Sequence, residues 1–259
     1  MAKARPLQQK RGWAWTIVVG IVKPTLLAAT KHDWIDGEKI PATGGCVVAV
    51  NHISHLDPMT LGFFLYEQGR LVRYLAKDAL FRTPVLKYIV KDAGQIPVTR
   101  ASEGAASAFD AAVEAVERGE CIGVYPEGTI TKDPEGWPMR GKTGAARIAL
   151  ATGCPVIPVG QWGAQEILPA YTVRPHVVPR RTAHYKVGDP VDLGDLMGKP
   201  VTNEVLHEAT DRIMAAITSL VEDLRGEPAP AVRFDPQTTG VHEIGNPNKP
   251  PHKQKRDRR

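Results

Sequence analysis

The sequence predicts an α/β domain, a layered mixed sheet flanked by helices, preceded by a pair of short membrane-associating helices. Apolar runs long enough for one buried strand recur at residues 47–50, 121–125 and 155–161. Stretches of helical character separate them, and several of the runs end directly in polar turns. Strands alternating with helices argue for a layered α/β domain, and 259 residues with 42% hydrophobic content can bury one substantial core.

Residues 13–22 are apolar, follow the cations Lys3, Arg5, Lys10 and Arg11, and are stopped by Lys23-Pro24; residues 25–30 are again mostly apolar. A membrane-spanning helix needs about 20 apolar residues, so this stretch is too short to cross. Two short helices bent at Pro24 are expected. Trp13 and Trp15 beside cations suit an anchor lying in the membrane plane, and packing of both helices on the domain is the alternative. The interrupting Lys23 and the lack of a clear cleavage site speak against a signal peptide.

Residues 34–51 predict two strands joined by the turn-rich segment 41–45. Helices follow at 59–66, 84–91 and 102–117, the last rich in Ala and ended by Arg118-Gly119. Strands are expected at 71–76, 95–98, 121–125, 155–161 and 182–187, a helix at 142–152, and a long amphipathic helix at 203–225. Beyond residue 226 the pattern dissolves into Pro, charged and polar residues, which predicts a disordered tail. Three parts result: residues 1–33 with the interfacial helices, 34–225 as the catalytic domain, and 226–259 as a basic tail.

The net charge of +5 and pI near 9.1 favour anionic partners. Much of the excess lies at the ends, where Lys249, Lys253, Lys255, Arg256, Arg258 and Arg259 are opposed only by Asp257. Such a tail could adhere to anionic lipid, at about 1 kcal/mol per cation near the surface, or serve solubility. No nucleic-acid module is recognisable, and no nucleic-acid partner is expected. Cys46, Cys121 and Cys154 are odd in number, far apart and set in apolar runs, which suits a reducing compartment better than a disulfide framework. None lies beside a His or a basic cluster that would activate it.

Three polar turns follow apolar strands, at residues 51–57, 98–100 and 125–129. In α/β sheets ligands gather outside the carboxyl ends of strands, so these turns could converge. His52 and Asp57 are five residues apart, about 500° of helical rotation. They can meet only if His52 stays in the turn while Asp57 sits at a helix start, where Asp followed by Pro58 is favourable. Histidine, with an ordinary pKa of about 6.5, can then act as a base, and the Asp would orient its ring. No Ser or Cys obviously completes a triad, since Ser54 reads as a turn residue. The pair suggests base-catalysed attack by a hydroxyl of the substrate. Arg100, Arg140 and Lys142, the latter two beside Gly141 and Gly144, supply cations near the predicted site.

Asn51-His52, four residues and Asp57 resemble the NHxxxxD motif of the glycerolipid acyltransferase family, whose central members are 1-acylglycerol-3-phosphate acyltransferases. Gly94, Ile96 and Arg100 resemble its second block, Pro126-Glu127-Gly128-Thr129 its third and Pro155-Val156-Ile157-Pro158 its fourth. HxxxxD alone is a weak signal; four ordered blocks over residues 34–187 make a strong one. The resemblance implies that His52 is the general base and Asp57 its orienting partner, with no acyl-enzyme and no cofactor. It implies that Arg100 grips an acceptor phosphate, that Glu127, Gly128 and Thr129 shape the acceptor pocket, and that Pro158 lies on the acyl side. The partners it implies are acyl-CoA or acyl carrier protein as donor, a phosphate-bearing lysolipid as acceptor, and an anionic membrane surface on the cytoplasmic face.

The third block usually continues with Arg, whereas this chain has Ile130. Arg140 or Lys142 is expected to compensate; a site with no cation for the phosphate would fit another lysophospholipid or a glycolipid. Other classes are a metal site at His52, His55 and Asp57, and a lipid-binding protein without turnover.

Overall fold

The structure is a computed structural model and describes residues 4–98 and 102–240. The elements are α1 (Trp13–Ala29), β1 (Thr30–Ile35), β2 (Cys46–Val50), α2 (Asp57–Glu67), β3 (Val72–Lys77), α3 (Asp78–Arg82), α4 (Leu86–Asp92), β4 (Ile96–Val98) and α5 (Ser102–Glu117). They continue as β5 (Cys121–Val124), α6 (Gly144–Thr152), β6 (Val156–Trp162), α7 (Ala164–Ile167), β7 (Arg181–Val187), α8 (Asn203–Arg225) and α9 (Pro236–Thr239).

The seven strands form one sheet in the order β1-β7-β6-β2-β5-β3-β4. The five strands from β6 to β4 run parallel, whereas β7 is antiparallel to β6 and parallel to β1. All five residues of β2 are fully buried, as a strand covered on both faces requires. Their side chains alternate between two cores. Val47 and Ala49 join Ala112, Ala146, Ile213 and Ile217 from α5, α6 and α8. Cys46, Val48 and Val50 join Ala14, Trp15, Leu61 and Phe64 from α1 and α2.

Of the two strands expected within residues 34–51, the second forms as β2, whereas the first lies mostly upstream as β1, with a short 3-10 turn at Gly37–Lys39 in its place, and the two do not pair. β1 lies against β7, and β7 and β6 separate it from β2. The partner of an edge strand is set by long-range packing that a local pattern does not carry. The segment between them is clamped by Arg70, which is 1% exposed and donates to the carbonyls of Pro41, Gly44 and Gly119 at 2.7–3.0 Å.

The expected pair of N-terminal helices is a single 17-residue helix with Pro24 inside it. Proline removes one helical hydrogen bond, yet contacts outside the helix hold the segment in line. The Ala14 N–H donates to Asp92 Oδ2 at 2.8 Å, the Trp15 indole donates to the Ala93 carbonyl at 3.2 Å, and Leu26 is buried near the other end. The opposite face leaves Trp13, Ile17, Ile21 and Leu27 exposed. Among the described residues no helix is long and apolar enough to cross a membrane.

The stretch from 226, expected to be disordered, instead packs as far as Gly240. Asp235 caps α9 by accepting from the Gln237 N–H at 2.9 Å, and Pro236 is buried. The remainder of that tail lies outside the described residues.

The Arg70 clamp carries a prediction. Arg70→Lys keeps the charge but cannot serve three carbonyls with a planar fork, so denaturant unfolding should show destabilisation by about 1–3 kcal/mol. Unchanged stability would show that the clamp is not needed to hold the loop ahead of β2.

Candidate active site

β2 and β5 are parallel neighbours with Ala49 opposite Val124, so the chain leaves both strands at the same edge of the sheet. This sets the turn after Val50 beside the turn after Val124. β6 flanks β2 on the other side with Val50 opposite Val159. Asn51 and Gln161 are fully buried and pair there: the Gln161 N–H donates to Asn51 Oδ1 at 2.8 Å, and Asn51 Nδ2 donates to the Gln161 carbonyl at 3.1 Å. Gln161 Oε1 accepts from the Tyr185 hydroxyl at 2.5 Å, which also meets Thr60 Oγ1 at 2.7 Å. Asn51 thus locks the start of the turn through a buried network rather than facing a ligand.

Asp57 opens α2 and turns its carboxylate back across the turn. Oδ2 accepts from the backbone N–H groups of Ile53 at 2.7 Å and Ser54 at 2.9 Å, and lies 2.7 Å from His52 Nδ1. A carboxylate oxygen holding two N–H donors is an acceptor, so Nδ1 carries the proton and Nε2 keeps its lone pair. Asp57 is fully buried, whereas the His52 side chain retains 15% of its surface exposed. The imidazole stacks on Tyr125, with centroids 4.4 Å apart and planes at 30°. Burial holds the Tyr125 phenol well above its ordinary pKa, so the stacking partner is neutral. Ser54 is a turn residue, its Oγ donating to the Leu168 carbonyl at 2.6 Å.

Glu127 ties the two turns together. Its Oε1 accepts the His52 backbone N–H at 2.7 Å and its Oε2 the Met139 N–H at 3.0 Å, and it is 1% exposed. The Thr131 N–H returns a bond to the His52 carbonyl at 2.8 Å. Burial pushes the Glu127 carboxyl up to about 8, against the lowering effect of its backbone donors. Gly128 has φ +70°, and a Cβ there would come within 3.2 Å of the Lys142 side chain. Glycine therefore lets the lysine lie across the turn that also holds half-buried Thr129.

Ile130 is buried at 3% exposure. Two residues on, Lys132 is 7% exposed, hydrogen-bonds the Tyr171 hydroxyl and stands 4.5 Å from the centre of its ring. Tyr171 meets His55 edge-on at 5.7 Å. This buried cation beside the His52 turn escaped sequence reasoning, because a lysine in a polar loop carries no signal of burial.

Lys142 does not open the helix expected at 142–152; α6 starts at Gly144, and the Lys142 N–H donates to the Pro126 carbonyl at 2.7 Å. A cavity of about 280 Å³ is lined by Glu127, Arg140, Lys142, Thr143, His207 and Asp235, among others. Arg140 is committed to the tail: its Nη1 lies 3.0 Å from Asp235 Oδ2 and 2.9 Å from Gln237 Oε1. Arg100 lies outside the described residues. Among the described residues no cluster of three His, Cys, Asp or Glu side chains is arranged to hold a metal.

The structure thus brings His52, Asp57 and Glu127 into one network and sets Gly128 against Lys142. Glu127→Gln tests the network, because a Gln amide nitrogen faces an N–H donor and one buried bond disappears, at a cost of about 1–3 kcal/mol. A carboxyl at about 8 when folded, against 4.5 when free, holds its proton across the interval in which the unfolded chain sheds it. The stability it contributes is therefore full below the lower value and lost as pH rises through the upper one. Wild-type stability should fall across that interval relative to Glu127→Gln; parallel curves would contradict the shift.

Residues 34–162 match the acyltransferase family model. The chain is 33% identical over 134 residues to a 1-acyl-sn-glycerol-3-phosphate acyltransferase of Borreliella burgdorferi, covering 51% of this chain and 52% of that protein. It is 31% identical over 134 residues to the chloroplastic 1-acyl-sn-glycerol-3-phosphate acyltransferase BAT2 of Brassica napus, covering 51% and 37% respectively. The aligned part thus spans about half or less of these relatives. The crystal structure of the 1-acyl-sn-glycerophosphate (LPA) acyltransferase PlsC from Thermotoga maritima shares the fold, with a TM-score of 0.63 over 83% of this chain and 81% of that one at 22% identity. With the His52 and Glu127 turns side by side at one edge of the sheet and the family match spanning β1 to β6, the chain belongs to the acyltransferase family.

Proposed function

We propose that the protein transfers a fatty acyl group from an acyl thioester, carried by coenzyme A or acyl carrier protein, to the free hydroxyl of lysophosphatidate at a membrane surface. The observation that carries this is the 2.7 Å hydrogen bond between His52 Nδ1 and Asp57 Oδ2, with the carboxylate fixed by two backbone N–H groups. His52 Nε2 takes the proton of the acceptor hydroxyl as its oxygen attacks the thioester carbonyl. The tetrahedral adduct collapses to the ester, the C–S bond breaks, and the imidazolium returns its proton to the leaving thiolate. Glu127 serves as a positioning residue through the His52 backbone N–H. Lys142, with Arg140 and Arg100, is assigned to the acceptor phosphate. The exposed face of α1, with Trp13, Ile17 and Ile21, is assigned to the lipid interface on the cytoplasmic side.

A second acceptor class is favoured by one observation: Ile130 is buried and Arg140 is paired with Asp235, so the cavity holds less available positive charge than the family motif implies. Another lysophospholipid, whose phosphate is a singly charged diester, or a glycolipid would then be preferred; glycerol-3-phosphate, with the same phosphate monoester as lysophosphatidate, is the remaining alternative acceptor.

Purified protein given acyl-CoA and a panel of these acceptors should release free thiol fastest with lysophosphatidate. His52→Ala should lower that release by at least about 10²–10⁴-fold with circular dichroism unchanged. Unaltered release in the variant would overturn the base assignment, and failure of every acceptor in the panel to give release would leave a lipid-binding protein as the reading. Lys142→Met should raise KM for phosphate-bearing acceptors while leaving KM for the thioester unchanged.

A further inference from the structure

Between Glu166 and Asp189 the chain has no acidic residue, and residues 169–181 contain Arg174, Arg180 and Arg181. This segment links α7 to β7. Val173 and Val178 within it are 93% and 89% exposed, the two most exposed large apolar side chains among the described residues. The excursion is closed at its base by the His176 N–H donating to the Ile167 carbonyl at 2.7 Å, which leaves Val173 and Arg174 in the projecting part. A short loop whose ends meet is a shaped surface feature rather than slack chain.

Both ends of the loop are fastened to places that matter. At its start, the Leu168 carbonyl accepts from Ser54 Oγ at 2.6 Å, and Tyr171 meets His55 and Lys132. The loop therefore rises from the rim of the His52 turn. At its end, Arg180 donates to the carbonyls of Leu27 at 2.6 Å and Thr30 at 2.5 Å, at the C-terminal end of α1. That helix shows solvent the apolar series Trp13, Ile17, Ile21 and Leu27. The cationic, valine-tipped loop thus runs from the apolar helix to the catalytic turn.

We propose that residues 169–181 form a second lipid-contacting element, with Val173 and Val178 entering the interfacial layer of an anionic bilayer and Arg174 engaging its phosphate headgroups, while Arg181 is paired with Glu166 at 3.5 Å. This deepens the interfacial assignment of α1 and rests on it. Cations alone would also suit an acidic carrier protein. Protruding valines continuous with the apolar face of α1 favour lipid, because such side chains gain most from leaving water at a surface that surrounds them. Seating the loop on the bilayer places the His52 turn against the layer in which both acyl chains reside.

The test uses the full chain and vesicles of phosphatidylcholine with and without phosphatidylglycerol. Cys46, Cys121 and Cys154 are buried, so an environment-sensitive fluorophore placed through Val173→Cys labels one site. Val201→Cys, 55% exposed, is the control. Val201 precedes α8, whose other end packs Arg225 on Trp162 at the active-site edge, so about 35 Å of helix separates the control from that edge. Vesicles with phosphatidylglycerol should blue-shift the label at 173 and leave that at 201 unchanged. Arg174→Gln should weaken flotation on those vesicles about fivefold.

A chain that floats with the label at 173 unshifted overturns the proposal, as does a chain that does not float at all. A label that answers acidic carrier protein but not vesicles overturns it in favour of a protein partner. Thiol release with a short-chain, water-soluble acceptor is followed in parallel. Its absence in a chain whose label still shifts would refute the acyltransfer reading and leave the loop assignment standing.

Discussion

The arrangement of the site depends on one buried contact, the acceptance of the His52 backbone N–H by Glu127 across two neighbouring parallel strands. β2 and β5 are central, fully covered strands, and their register delivers the two turns side by side at one edge. A main-chain N–H freed at the end of β2 needs a partner once buried, and Glu127 supplies it while its other oxygen secures Met139. The backbone of His52 is thereby fixed from one side while Asp57 fixes its ring from the other. Tyr125 adds a neutral stacking face. His52 is constrained at main chain, ring edge and ring face, the preorganisation that a general base requires.

Much of this was legible in the sequence, for identifiable reasons. The runs at β2, β5 and β6 are apolar because both faces of those strands are covered, and α8 shows its buried face through Leu206, Ile213, Ile217 and Leu220 at helical spacing. The meeting of His52 and Asp57 followed from the geometry of a turn entering a helix. What stayed hidden depended on distant partners. Pro24 reads locally as a break, but Asp92 and Ala93 hold α1 through it. Arg70 and Lys132 are charges in or beside loops, and only the folded chain shows that they are buried. Asp235-Pro236 repeats the helix-start signature of Asp57-Pro58 in a stretch whose composition argued for disorder.

The acceptor side is where this chain departs from the motif that its sequence resembles. Ile130 turns an apolar side chain inward, and Asp235 from the C-terminal segment occupies Arg140. That ion pair is half-exposed and therefore weak, so a phosphate-bearing acceptor could displace the carboxylate without disturbing the fold. The apolar stripe of α1 and the cationic loop after α7 are features of the surface rather than the core. Their common property is that each leaves large apolar side chains in water.

The central claim is that the substrate's own hydroxyl attacks the thioester, with His52 as base and no acyl-enzyme. Intact-mass measurement of the protein after incubation with acyl-CoA in the absence of acceptor tests it most directly. The account predicts an unmodified mass, with thiol appearing only once acceptor is added. A stoichiometric acyl adduct on the chain, formed before acceptor and consumed by it, would contradict it.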